Sequence, residues 1–302
     1  MRTIAVVNFK GGTGKTTTVT NLGAGLASLG HRVLLIDTDP HAGLTHTFDA
    51  PSSPSLVDLL TERMPLERAT FRARECLDLL PSGPDLLNWQ ASRSYVKIKE
   101  ALARFLHTST SSYDFVLIDC AAPLFPLNAA TLATVGEIVI PTQVEYLSLL
   151  GLNQVLESLA RIRFPGRPYH QVDNLHVSLI VPTFYDVRRR VARLFVAYLR
   201  EVFGPRVAPP IRTSVRLAEA PALHRTIFEH APDSSAAFDY RRLVDYFLQL
   251  PATPWAPIGL RTRLDPSAAL QTQPKARTPA GARETPAESS PAPDATAPEP
   301  SV

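Results

Sequence analysis

Two cysteines in 302 residues, Cys76 and Cys120, are too few for a disulfide framework and fit a reducing compartment. No apolar run reaches the length of a membrane span, and the chain enters an apolar strand directly after Met1-Arg2. Both features predict a soluble, cytoplasmic protein without a signal peptide. Net charge is also scarce: +3 is too weak to argue for nucleic acid by itself, so that argument rests on where the charge sits. The eight histidines show no metal-ligand spacing, and there is no internal repeat. Apolar residues, by contrast, make up 45% of the chain, enough to bury a substantial core. From Pro251 onward the composition changes, with 11 of the 28 prolines falling there among Ala, Thr, Ser and Glu. The expectation is one folded domain over 1–250 and a disordered tail over 251–302.

Within 1–250, apolar runs bounded by turn residues alternate with helix-period segments. Thr3 to Asn8, Arg32 to Asp37, Leu77 to Leu80, Asp114 to Asp119, Glu137 to Pro141 and Val177 to Pro182 read as strands. Thr16 to Leu29, Arg93 to Leu106, Leu127 to Thr134, Leu147 to Ile162 and Val187 to Phe203 read as helices. Short strands that are apolar throughout are buried on both faces, as a parallel sheet covered by helices requires. The pattern predicts an α/β fold, a doubly wound, mostly parallel sheet with helices on both faces. Ligands of such sheets sit beyond the carboxyl ends of the strands. There the loop at 9–17 and the segments after Asp37 and Asp119 would meet.

The loop Phe9-Lys10-Gly11-Gly12-Thr13-Gly14-Lys15-Thr16-Thr17 follows a strand and opens a helix. Its glycines let successive N–H groups turn around an anion, the helix N-terminus adds its positive end, and Lys15 supplies a mobile charge. Thr16 is placed to put its hydroxyl on a Mg²⁺ shared with the phosphates. Phe9 stands where the usual G-x-x-x-x-G-K-[ST] loop has its first glycine, and a second lysine, Lys10, is present instead. The run K-G-G-T-G-K-T-T resembles the deviant Walker A signature of the ParA/MinD family of dimeric ATPases. The resemblance implies a P-loop NTPase fold, ATP and Mg²⁺ as ligands, and contacts to ATP from Lys10, Gly11, Gly12, Thr13, Gly14, Lys15, Thr16 and Thr17. It also gives Lys10 the role of reaching across an ATP-sandwich homodimer to the partner's phosphates.

Leu34 to Pro40 places Asp37 and Asp39 at the end of a buried strand. Phosphoanhydride hydrolysis needs a water aimed in line at phosphorus and a metal whose waters carboxylates hold. The segment resembles the family's D-x-D-P-Q-G, with His41-Ala42-Gly43 where Gln-Gly is usual. The match gives Asp39 the water-positioning role, beside Lys10 and Lys15 in catalysis, and gives Asp37 support of the Mg²⁺ shell. Phe115 to Asp119 is a Walker B-like strand whose Asp119 would hold the metal, and Cys120 reads as a small buried residue. Val181 to Asp186 resembles the segment bordering adenine, and Ile211 to Pro221 resembles I-P-x-x-V-R-x-x-E-A-P with Arg212 in place of proline. Thr183, Phe184 and Ile211 are the base contacts implied.

Between Arg161 and Arg216 there are eleven arginines and three acidic residues. One-signed charge in one region is the footprint of phosphate-backbone binding. The resemblance implies non-specific DNA binding by the ATP-bound dimer, with Arg216 matched by motif and Arg189, Arg190 and Arg193 by position. The function expected is that of a nucleoid-associated ParA-type partition ATPase stimulated by a ParB-like partner. The alternative is a MinD-like membrane-associated positioning ATPase, for which the tail would need an amphipathic helix. Its Trp255, Ile258 and Leu260 lie among prolines, so no membrane contact is expected. Metal-cluster carriers of this fold need paired cysteines and capsule tyrosine kinases need tail tyrosines, and this chain has neither.

Overall fold

The structure is a computed structural model that describes residues 1–108, 110–122, 124–167, 177–251, 264, 265 and 267. It divides into a unit Met1–Thr272 and a unit Gln273–Val302, the second lying outside the described residues. Seven strands form one sheet: β1 (Arg2–Val6), β2 (Val33–Asp37), β3 (Phe71–Arg74), β4 (Leu77–Leu80), β5 (Phe115–Asp119), β6 (Glu137–Gln143) and β7 (Leu179–Thr183). Their order is β3-β4-β2-β5-β1-β6-β7, every pairing parallel except β3 with β4. β2, β5 and β7 are buried at every residue, as strands covered on both faces must be.

The longer helices are α1 (Lys15–Ser28), α2 (Tyr95–Thr108), α3 (Pro126–Thr134), α4 (Tyr146–Arg163), α5 (Arg190–Phe203) and α6 (Ser235–Gln249). Two apolar layers flank the sheet. One gathers α2, α3, α4 and α5, and the other α1 and α6. α1 is squeezed between sheet and α6, and two glycines make the fit. A Cβ on Gly23 would stand 2.6 Å from Leu35 Cδ2, and one on Gly25 2.5 Å from Val244 Cγ2. The doubly wound α/β fold expected from periodicity is therefore present.

Three features differ from the sequence reading. β3, which pairs antiparallel at the sheet edge, was not foreseen, nor was α6. α5 begins at Arg190 rather than Val187, because Asp186 Oδ1 accepts from the Arg188 N–H at 3.0 Å and holds 186–189 in a turn. Of the tail expected over 251–302, only Pro251, Leu264, Asp265 and Ser267 are described. Leu264 is buried in the α4/α5 layer, where the Asn153 side-chain amide pairs with both its N–H (2.9 Å) and its carbonyl (3.0 Å). The Asp265 N–H donates to the Tyr198 hydroxyl at 3.0 Å.

Candidate functional site

The carboxyl ends of β1, β2 and β5 lie side by side, so that Val6 pairs with Asp119 and Asp119 with Asp37. Above them the loop after β1 wraps into α1. Gly12 (φ +71°) and Gly14 (φ +88°) adopt the left-handed conformation that glycine tolerates, and Gly14 caps α1 without a side chain. The α1 N-terminus is thereby left open to an anion. Lys15 is 8% exposed, and its Nζ donates to the Lys10 carbonyl at 3.3 Å. Burial lowers its pKa, opposed by the charges of Asp119 and Asp39.

Thr16 Oγ1 donates to Asp119 Oδ2 at 2.6 Å, while the buried Asp119 Oδ1 has no hydrogen-bond partner. Burial, and then the Asp37 charge, push Asp119 up to about 8. Burial also raises Asp37 to about 6, against three hydrogen bonds that favour its charge. Those bonds come from Asp39 N (3.0 Å), Thr45 N (2.8 Å) and Thr45 Oγ1 (2.7 Å), so both Asp37 oxygens are taken by the turn at 38–45. A pair of buried carboxylates with an orphaned oxygen and a neighbouring hydroxyl is a donor set that suits a hard divalent cation. Asp119 and Thr16 offer it directly, and Asp37 acts through the turn it holds.

A cavity of about 440 Å³ lies along this loop. Gly11 to Thr17, Asp39, Thr183, Phe184 and Ile211 line it together with Arg212, Thr213 and Tyr240. The structure thus brings the loop, Asp39 and both expected base-contact segments to one space. Asp39 Oδ1 accepts the His41 N–H at 2.9 Å, and the His41 ring nitrogen Nδ1 lies 2.9 Å from the same oxygen. Lys10 does not line the cavity. Its Nζ donates to Gln143 Oε1 at 3.0 Å and pairs with Glu145. Of the expected DNA contacts, Arg189, Arg190 and Arg193 are exposed without an ion pair among the described residues, while Arg216 pairs with Glu219 at 2.9 Å. Cys120 is buried, and burial pushes its thiol up.

Sequence reasoning missed Gln143, Glu145, Tyr240 and the Arg212–Asp239 pair. Gln143 also donates to the Gly12 carbonyl at 2.8 Å. A polar residue at the carboxyl end of an apolar parallel strand was the available signal for it.

A glycine-turned anion cradle, two strand-end carboxylates and an adjoining cavity define a P-loop nucleotide-binding protein. A family model described as an AAA domain matches residues 1–168. Over 248 residues the chain is 38% identical to the chromosome-partitioning ATPase Soj of Thermus thermophilus, covering 81% of this chain and 94% of that relative. It is 32% identical over 238 residues to the chromosome partitioning protein ParA of Caulobacter vibrioides, covering 75% and 86% of the two chains. Among solved structures, cobyrinic acid a,c-diamide synthase from Mycobacterium smegmatis with bound ATP analog and magnesium matches with a TM-score of 0.67. The two are 29% identical, and the match covers 82% of this chain and 95% of the other. The chain belongs to the ParA/Soj family of partition ATPases.

Proposed function

We propose that this ATPase closes as a homodimer over two ATP molecules, coats DNA without sequence preference, and moves a cargo when a ParB-like partner triggers hydrolysis. The observation that carries the reading is the single cavity in which residues 11–17, Asp39 and the segments at 183–184 and 211–213 converge. In this reading the loop N–H groups and Lys15 bind the triphosphate, and Thr183, Phe184 and Ile211 border the base. Thr16 and Asp119 would hold Mg²⁺, with Asp37 fixing the neighbouring turn, and the metal would supply charge neutralisation to the phosphates. Asp39 orients the attacking water, with one oxygen steadied by His41 and the other left for that water.

Lys10, parked on Gln143 and Glu145, swings to the partner's phosphates when two copies meet. Tyr146, Leu147 and Leu150 are exposed at the start of α4 beside that parking place, an apolar patch of the kind a second subunit covers. Arg189, Arg190, Arg193 and Arg216 contact DNA phosphates in the closed dimer. No helix among the described residues is long and apolar enough to cross a membrane. Trp255, Ile258 and Leu260, on which a MinD-like lipid contact would depend, lie outside the described residues.

The test is sedimentation velocity of the purified protein with Mg²⁺ and a slowly hydrolysed ATP analogue, followed by titration with unrelated DNA duplexes. Dimer formation and DNA binding that weakens steeply with salt support the reading. A protein that stays monomeric with the analogue, or that pellets with liposomes and ignores DNA, overturns it.

A further inference from the structure

The two segments bordering the expected base site form one hydrogen-bonded unit. The Ile211 N–H donates to the Pro182 carbonyl (2.8 Å), Tyr185 to Ile211 (3.0 Å) and Thr213 to Tyr185 (3.2 Å). The unit continues the sheet beyond β7, where Tyr185 and Arg212 form a parallel bridge. Besides the Thr183 hydroxyl on the Thr13 carbonyl and the buried Ile211 side chain, a salt bridge ties it to α6. Asp239 Oδ2 accepts from the Arg212 backbone N–H (2.9 Å) and Nε (2.8 Å), and Oδ1 accepts from Nη2 (2.8 Å). Nη2 also donates to the Ser235 carbonyl at 3.1 Å. Asp239 is only 2% exposed, so its two oxygens find their partners in this fork rather than in water. The next residue on α6, Tyr240, is buried and lines the cavity.

The related motif carries proline at position 212. Proline has no N–H to give Asp239 and no cation, and it stiffens its segment through its own ring. Arginine leaves the backbone free at that point, so the segment's placement here depends on a contact made 27 positions further along the chain. When that anchor is cut, the segment at 211–213 loses its tie to α6, while the phosphate loop keeps its glycines, the Gln143 bond and the bond from the Thr183 hydroxyl to the Thr13 carbonyl (2.9 Å), Thr183 being held in β7.

We infer that Arg212, gripped by Asp239, is a positioning residue that sets how tightly this chain holds the purine end of its nucleotide. The inference rests on the cavity being the ATP site, as proposed above. It acts on affinity and base discrimination, leaving the in-line attack at Asp39 alone.

Steady-state hydrolysis, equilibrium binding and nucleotide-free melting, with ATP, GTP and inorganic tripolyphosphate as probes, test it. Arg212→Ala raises KM for ATP about tenfold and narrows the ATP-to-GTP preference. Its kcat stays within about twofold of the parent, since the binding lost is the same in the ground state and in the transition state. Tripolyphosphate, which has no base, binds the variant as it binds the parent. Asp239→Asn moves the same readouts in the same direction. Arg212→Lys keeps the charge, loses the planar fork and falls between, and it gives the reading should the alanine variant fail to fold. An unchanged KM in these variants, or equal losses for ATP and tripolyphosphate, overturns the inference. If the parent protein bound tripolyphosphate but not ATP, the reading of the cavity itself would fall, an outcome visible before any variant is made.

Discussion

The phosphate end and the base end of the cavity are built by different means. At the phosphate end the turn itself is local: Gly12 and Gly14 turn the backbone and Lys15, one residue on, fills the cradle, with Gln143 and Thr183 adding single bonds to the Gly12 and Thr13 carbonyls. At the base end the shape is assembled from β7, the segment at 211–213 and α6, joined by Arg212 and Asp239. A short-range device is fixed by adjacent residues and tolerates change elsewhere. A long-range one depends on a partner whose identity no local pattern reveals.

The most severe way to break the comparison is at the cradle. Lys15→Ala removes the buried cation from the phosphates, and nucleotide affinity is expected to fall by on the order of 100-fold or more. Isothermal titration with the ATP analogue measures it, and near-parental affinity would take Lys15 out of the site. Asp39→Ala should leave affinity within about threefold while kcat drops by about 100-fold, because water orientation matters only in the transition state. Single-turnover hydrolysis separates the two, and normal turnover would remove Asp39 from its role.

The strand-end carboxylates sharpen the contrast through pH. In the metal-free protein Asp119 keeps its proton up to about 8, whereas the unfolded chain loses it near 3.8. The fold therefore binds more protons than the unfolded chain in that window, and its stability falls as pH rises through it. Between pH 6 and pH 8 the loss is on the order of 2 kcal/mol. Thermal melts with chelator should show it, Mg²⁺ should offset it most at the upper end, and Asp119→Asn should flatten it. The smallest effect belongs to the parked lysine. Glu145→Gln releases Lys10 from its ion pair, and analogue-driven dimerisation should tighten by only about two- to fivefold, the scale of a partly exposed pair. Weaker dimerisation in sedimentation runs would mean that Glu145 guides Lys10 rather than retains it.

The same division explains what could be read from the sequence. Strands such as Val33–Asp37 and Phe115–Asp119 declare themselves by unbroken apolar residues ending in a carboxylate. The loop declares itself by glycines at fixed spacing. β3 did not, because it spans four residues of which only Ala73 is buried, with two arginines among them. α6 did not, because Asp239, Arg241 and Arg242 interrupt its apolar stripe, although Tyr240, Leu243, Val244 and Phe247 face the core. Asp239 reads in sequence as an ordinary surface charge on a helix. Only folding shows that it is enclosed and spoken for by Arg212. Likewise nothing near Lys10 announces that its resting partners lie more than 130 residues away.

Leu264 has a practical consequence for anyone shortening this protein. Ending the chain at residue 250, where the composition first turns proline-rich, would strip a leucine from the interior on the side opposite α6. It would also leave the amide of Asn153 facing an empty slot. A cut placed after Ser267 spares both the buried leucine and its two bonds to Asn153.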